Sequence, residues 1–337
     1  MTAPAVSIVL PFFNAAATLA EALDSIAVQS FGDYELLAID DGSNDGSAER
    51  VARYAARDRR IRLLRPGRVG FVAAVNLGLE AARGEWVARM DADDRMHPQR
   101  LQRQWQTIAA DPALALVGTR VRLFPEGQIQ NGMREYVRWQ NACTEPETIA
   151  AEIYVESPIA HPTMLYRRET VRGLGGYRDG ELPEDYDLLL RLHAAGHRMA
   201  KVPEALVDWR DGPTRLSRTD PRCSRQAFDR LRAEYLARDP RLAGDRPLVF
   251  WGAGRKTRRR TDWLRAHGHR PAAWVDIDPR KVGNRVDGVP VVAPEWLDRP
   301  ERPFVLSYVN RHGAAARIAD HLKHLGYRRV RDYLRVG

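Results

Sequence analysis

Apolar residues along this chain fall into short unbroken runs, and the stretches between them carry a helical beat. The first run, VSIVLP (Val6 to Pro11), reads as a buried strand, and TLAEALDSIAVQS behind it places Leu19, Leu23 and Ile26 on one helix face. Together they predict a β/α unit. YELLAID (Tyr34 to Asp40) predicts a second strand, closed by the turn-rich DGSNDGS, whose Gly42, Asn44 and Gly46 supply loop conformations. A helix to about Arg57, the strand IRLL and the helix FVAAVNLGLEAARG, stopped by Gly84, follow. The run from Glu85 to Met90 predicts the next strand. Strands alternating with helices at this spacing predict a mainly parallel sheet covered on both faces.

After Pro98 comes a helix with Leu101, Trp105 and Ile108 as its apolar stripe, then the strand LALVGTRVRLF. From Gly127 to Ser157 the pattern loses its period, and no element is assigned there. A helix from about Asp185 to Ala195 and the strand MAKVPEALVDWR end the first domain, and an arginine-rich helix between Asp220 and Pro240 leads into a linker. Near Pro247 the theme restarts: PLVFWGAGRKTRRRTDWLRAHG is strand, glycine turn and helix, PAAWVDID is a strand ending in acids, and PFVLSYVN precedes the helix GAAARIADHLKHLG. The expected organisation is α/β throughout. It has a first domain over residues 1–218, a helical linker over 219–245 and a smaller α/β domain over 246–337.

Composition narrows the class. The length, 337 residues, suits two domains, and 44% hydrophobic residues suit a folded chain. A net charge of +9 favours anionic partners such as a nucleoside diphosphate, an acidic membrane surface or nucleic acid. Cys143 and Cys223 are too few for a disulfide framework and lack metal-type spacing. The opening MTAPAVSIVLPFFN has no basic region ahead of its apolar run, and no apolar stretch reaches membrane-spanning length. The expectation is a cytoplasmic protein, with peripheral contact at the inner membrane face through its basic residues.

The candidate chemistry begins at WVARMDADDRMHP, where Asp91, Asp93 and Asp94 crowd a strand end. Open α/β sheets place their ligands at such ends. A hard divalent ion is commonly held there by one or two carboxylates together with substrate phosphate oxygens, which fits Asp91 and Asp93. A simpler role for Asp94 is to open the helix beyond Pro98 as a cap. Glu184 and Asp185 form a second acidic pair, placed favourably against a helix N-terminus.

In the order VSIVLPFFNAAATLAEALDSIAVQSFGDYELLAIDDGSNDGS, NLGLEAARGEWVARMDADDRMHPQRL, HPTMLYRRE and PEDYDLLLRL, the chain resembles the bacterial family 2 glycosyltransferases, from about Val6 to Arg218. The resemblance implies a nucleotide-binding fold of the GT-A type. By resemblance, Pro11 and Phe13 cradle a nucleobase and Asp41, beside Asp40, accepts a hydrogen bond from it. Asp91 lies near ribose or metal, Asp93 is the direct ligand of Mg²⁺ or Mn²⁺, and His161 lines the sugar site. Asp185 is the general base of a single inverting displacement, in which a sugar passes from a nucleotide-sugar to a hydroxyl on a polysaccharide, lipid-linked or protein-linked acceptor. Nucleic acid has no role in that picture.

The chain departs from the family in one place. Relatives follow the last strand of the domain with a histidine, where this chain has WRDGPTRLS; Arg210, Arg215 or Arg218 takes its place through charge. The second domain resembles the small Rossmann-like domain at the front of bacterial sugar acyltransferases. Its GAGRKT has Thr257 where a third glycine belongs, with Asp276 and Asp278 at the next strand end. Docking or oligomerisation is the favoured use of so incomplete a fingerprint. A sugar nucleotidyltransferase is a competing class, but it needs a glycine-rich phosphate loop after the first strand, and LPFFNAAAT has none. An inactive nucleotide-sugar-binding module is the third reading; retention of Asp93 and Asp185 argues against it.

Overall fold

The structure, a computed structural model, describes residues 3–212, 215–310 and 313–337. It divides into two units, Met1–Ile149 with Ser157–Arg222, and Ala150–Glu156 with Cys223–Gly337.

The first unit opens with β1 (Val6–Phe12), α1 (Leu19–Ala27), β2 (Tyr34–Asp40), α2 (Ser47–Ala55), β3 (Ile61–Leu64), α3 (Phe71–Ala81) and β4 (Trp86–Arg89). There follow β5 (Arg95–Met96), α4 (Arg100–Ala110), β6 (Leu114–Phe124), α5 (Asn131–Ala142) and α6 (Pro146–Glu152). The unit closes with β7 (Leu165–Arg167), α7 (Arg168–Gly173), α8 (Glu184–Ala194), β8 (Arg198–Arg210) and α9 (Leu216–Thr219). Its strands form one sheet in the order β3-β2-β1-β4-β7-β6-β8-β5. β1 is parallel to β2 and β4, β2 to β3, and β6 to β8. The antiparallel β7 joins β4 to β6, and β5 adds an antiparallel edge to β8. This is the mainly parallel α/β sheet that the alternating pattern predicts.

Every residue of β1 and β2 is buried, as expected of central parallel strands covered on both faces. Val6, Ile8 and Leu10 of β1 pack with Leu23 and Ile26 of α1, Trp86 of β4 and Leu101 of α4. The fully buried Ser7 is the exception in an apolar strand, and it works as a pin. Its hydroxyl donates to Glu35 Oε1 at 2.8 Å and accepts from the Gly84 amide at 2.9 Å, fixing the turn that launches β4. A Cβ at Gly84 would stand 2.7 Å from the Ser7 nitrogen and 2.8 Å from the Val6 carbonyl carbon. Backbone cannot yield there. Gly84→Ala is therefore expected to lower stability by about 1–3 kcal/mol, read as a lower denaturation midpoint at unchanged slope.

The second unit contains α10 (Arg225–Leu236), β9 (Leu248–Trp251), α11 (Arg255–Ala266), β10 (Ala273–Val275), β11 (Arg285–Val286), β12 (Val289–Val292), β13 (Phe304–Ser307), α12 (Ala314–His324) and β14 (Tyr333–Arg335). Its sheet runs β11-β12-β10-β9-β13-β14, parallel except at the β11–β12 hairpin. The linker assigned to residues 219–245 differs here: α10 belongs to this unit and buries Leu231 and Leu236. Arginine content disguised not the helix but its burial, because Arg232 is itself buried and paired with Asp229 at 2.6 Å. The segment Ala150–Glu156 also joins this unit. There the Tyr154 hydroxyl donates to Asp239 at 2.9 Å, and Glu152 receives Arg329 and Arg335.

Candidate active site

The carboxyl ends of β1, β2 and β4 carry the residues that the sequence singles out. Pro11 is buried opposite Ile39, where β1 runs past the end of its pairing with β4, so no ladder bond is asked of its missing N–H. Phe13, just beyond the strand, presents an exposed ring. Asn14 behind it holds the loop at φ 48° and accepts from the Asn44 amide at 2.9 Å, while its own amide donates to Ser43 Oγ at 3.0 Å. Gly42, at φ 80°, lets this turn approach Arg68, whose amide nitrogen a Cβ would meet at 3.1 Å.

Asp40 and Asp41 are both buried and differently engaged. Asp40 Oδ1 accepts from the Ser43 amide at 2.8 Å, an Asx-type brace of the turn. Asp41 Oδ1 accepts from the amides of Val69 and Gly70 at 2.7 and 2.8 Å, and its Oδ2 pairs with Arg68. The Arg68 guanidinium also lies 3.7 Å from the centre of the Phe13 ring. One cation thus touches both the ring and the carboxylate assigned to a nucleobase. The sequence reading missed Arg68; its signal was the tight turn RPGRVG ahead of α3.

β4 delivers the acidic cluster. Asp91 is half-buried and accepts from Arg89 Nη2 at 2.6 Å. Asp93 keeps a solvent-facing edge, but the protein around it removes much of its hydration and Asp91 repels it, so its carboxyl is pushed up to about 6. Asp94 is buried; that burial, followed by Asp93 and Asp91, drives its carboxyl well above the usual range. Its Oδ1 accepts from the Arg210 amide at 2.7 Å, and its Oδ2 is buried without a hydrogen-bond partner. Asp94 does not cap the next helix, which Gln99 precedes; its partner lies on β8 instead. Among the described residues no group of three or more His, Cys, Asp or Glu side chains closes a metal cage. The two crowded, under-compensated carboxyls and the orphaned Oδ2 suit a hard cation that takes its remaining ligands from phosphate and water.

Buried cations support this cluster from below. Arg89 and Arg100 are fully buried, and Arg100 donates to the Arg89 carbonyl at 2.9 Å. Burial, then the charge of Arg89, pulls Arg100 down to about 9. Arg89 Nε donates to His161 Nε2 at 3.0 Å, which turns that nitrogen of the buried imidazole inward. Desolvation, reinforced by Arg89, holds His161 well below its ordinary value, so the ring is neutral.

The three arginines at and beyond the end of β8 separate by geometry. Arg218 is committed to the buried Asp211 through two bonds of 2.7 and 2.8 Å. Arg210 bridges the Asp93 carbonyl and Glu21. Arg215 stacks on Trp209 at 3.9 Å, and its charge acts on both Asp93 and Asp94.

The second acidic pair opens α8. Asp185 is half-buried and its Oδ1 accepts from the Tyr186 amide at 2.7 Å. Glu184 is buried, with Arg222 3.9 Å away, and burial followed by Asp185 raises its carboxyl to about 7. The folded chain therefore holds that proton more tightly than the unfolded chain, whose ordinary value is 4.5. This stabilisation is complete below the ordinary value and is lost as pH rises through about 7. Glu184→Gln, which cannot ionise, is expected to lose less stability than wild type between about pH 5 and about pH 8, by on the order of 1–3 kcal/mol in denaturation curves.

In the second unit the glycine turn is present but occupied. The Ala253 amide donates to Asp276 Oδ2 at 2.9 Å, the Asp278 amide donates to Asp276 Oδ1 at 2.9 Å, and Lys281 pairs with the same carboxylate at 3.0 Å. Asp276, one of the two acids at that strand end, is thus engaged by its own loops.

Comparison with known proteins adds to this geometry. The family model described as glycosyl transferase family 2 matches residues 7–175. The chain is 32% identical over 213 residues to EpsE of Bacillus subtilis strain 168, covering 62% of this chain and 73% of that protein. It is 30% identical over 193 residues to the O-antigen biosynthesis glycosyltransferase WbnJ of Escherichia coli, covering 56% and 72%. Residues 1–349 of TarS from S. aureus, solved with UDP, share the fold at a TM-score of 0.54 and 20% identity, covering 79% of this chain and 72% of that one. The mannosyltransferase PcManGT of Pyrobaculum calidifontis, solved with GDP-Man and Mn²⁺, superposes at a TM-score of 0.50 and 20% identity over 80% of this chain and 70% of that one.

Proposed function

The chain belongs to glycosyl transferase family 2, and from that premise we propose that it is a metal-dependent, inverting enzyme moving a sugar from a nucleotide-diphospho-sugar to a hydroxyl of a cell-surface glycan or its lipid-linked precursor. The observation that carries this reading is the unmet charge at the end of β4, where Asp93 is pushed up to about 6 and Asp94 Oδ2 lies buried without a partner. Mg²⁺ or Mn²⁺ held by Asp93, with Asp91 beside it, would neutralise the charge that develops on a departing diphosphate.

The chain's own residues supply the rest. Phe13 offers a face for a nucleobase to stack on, and Asp41 with Arg68 offers an acceptor and donors to its edge. Arg215, whose charge reaches the acids, pairs with the diphosphate in place of the histidine of relatives. Asp185 takes the proton from the acceptor hydroxyl as its oxygen attacks the anomeric carbon, and the nucleoside diphosphate leaves from the opposite face. Glu184, holding its proton up to about 7, spares Asp185 a second negative charge alongside. The O-antigen role of WbnJ supports a polysaccharide acceptor. No helix among the described residues is long and apolar enough to cross a membrane, so a cytoplasmic enzyme would reach a lipid-linked acceptor by peripheral contact. The division into a catalytic domain and a C-terminal docking or oligomerisation domain belongs to the same proposal.

The test is a panel of nucleotide-sugars incubated with Mn²⁺ and glycan acceptors, scored for free nucleoside diphosphate and for the anomeric configuration of the product by NMR. A product of inverted configuration, formed only with the divalent ion, is expected. Retained configuration would remove the single-displacement mechanism.

A further inference from the structure

Arg89 is a fully buried cation at the end of an otherwise apolar strand, and its guanidinium is bonded on every side. Nη1 donates to the Val9 and Met90 carbonyls at 2.7 and 3.0 Å, Nη2 to Asp91 Oδ1 at 2.6 Å, and Nε to His161 Nε2 at 3.0 Å. The Tyr177 hydroxyl stands 3.0 Å from the same imidazole nitrogen. Tyr177 is itself clamped to α3, since its amide donates to Asn76 Oδ1 and its carbonyl accepts from Asn76 Nδ2, both at 2.8 Å. Phe71, also on α3, meets the His161 ring edge-on at 6.1 Å between centroids. The result is one continuous chain from α3 through Tyr177, His161 and Arg89 to Asp91.

We infer that His161 is a positioning residue for the donor site: its neutral imidazole accepts from Arg89 Nε–H and so fixes the guanidinium plane that presents Nη2 to Asp91. The physical reason lies in the geometry of the guanidinium group. Its plane rotates about the Cδ–Nε bond, and a partner on Nε–H, added to those on Nη1 and Nη2, restrains that rotation at the third nitrogen. An acceptor is required at that point because an unpaired N–H on a buried cation is costly. An imidazolium could not serve, having no lone pair to offer and a charge that repels Arg89. With Nε2 accepting, the ring proton belongs on Nδ1, which excludes Nε2 as a proton acceptor in the transfer step. The inference rests on the proposal that Asp91 meets the donor, and it gives His161 an indirect part there through two hydrogen bonds.

The test combines a measurement that needs no ligand with one that does. Imidazole ¹⁵N shifts of wild-type protein are expected to show a neutral ring protonated on Nδ1, with an Arg89 Nε–H that exchanges slowly with solvent. In His161→Phe, which keeps an aromatic ring and removes the acceptor, that proton is expected to exchange faster. Affinity for UDP or GDP in the presence of Mn²⁺, whichever the wild-type protein binds, is expected to fall by roughly ten- to a hundred-fold, the usual effect of losing a group that orients a ligand residue. His161→Gln, whose Oε1 restores an acceptor, is expected to recover most of that affinity, and the acceptor KM is expected to stay constant throughout. An Nε2-protonated or cationic ring overturns the inference whatever the protein binds. So does a folded His161→Phe protein with wild-type diphosphate affinity, an outcome that leaves the proposed activity standing. Failure of wild-type protein to bind either diphosphate overturns the reading of Asp91 beneath it.

Discussion

Asp185→Asn protein is expected to bind its nucleotide-sugar as wild type does while transfer falls by roughly two to four powers of ten, the usual worth of a positioned general base. Asparagine preserves the shape of the side chain and can still accept from the Tyr186 amide, the bond that aspartate makes at 2.7 Å at the start of α8. What it cannot do is take up a proton. If Asp185 only favoured its helix end, the substitution would lower stability by about 1 kcal/mol or less and leave turnover in the folded fraction nearly unchanged. Thermal melting and single-turnover transfer on the same preparation separate these outcomes. Near-wild-type transfer by a well-folded variant would remove the mechanism while leaving the fold intact.

Asp93→Ala should abolish Mn²⁺ retention in the presence of nucleoside diphosphate, and with it transfer. The carboxyl at 93 is already pushed up to about 6 by lost hydration and by Asp91, so the apo site carries charge that a divalent ion relieves. The same competition sets a pH dependence: protons displace the ion as pH falls below about 6, so Mn²⁺ affinity should weaken there by about tenfold per unit. Electron paramagnetic resonance of free Mn²⁺ reads both effects. An Asp93→Ala protein that still withdraws Mn²⁺ from solution as wild type does would assign the ion to other ligands.

What the sequence made legible was whatever repeats locally. β1, β2 and β4 appear as short apolar runs because both faces of a central strand are buried, and α1 and α4 show their stripes because each covers that sheet with a single face. The acids at the end of β4 were legible because like charge collects there with no local reason to do so. What stayed hidden depends on distant partners. α5 buries only Val137 and Gln140 of its own length, too narrow a stripe to detect, and β7 is too short for a period to register. Asp94 suggests a local cap, yet it bonds to Arg210 across the sheet. Arg89 and Arg100 are charged residues at full burial, placements that hydropathy forbids and that Asp91, His161, Gln104 and backbone carbonyls make tolerable. His161 was singled out by its motif, but which way its ring faces follows from Arg89, and that contact has no signature along the chain.

The most direct test of the account is a calorimetric titration of UDP and GDP into the wild-type protein, once with Mn²⁺ and once with excess chelator. The account predicts that at least one diphosphate binds with the ion present and that its affinity drops by roughly tenfold or more when the ion is removed, because the crowded carboxylates then face the phosphates unscreened. Equal affinity in the two titrations, or no binding of either diphosphate with Mn²⁺ present, would contradict it.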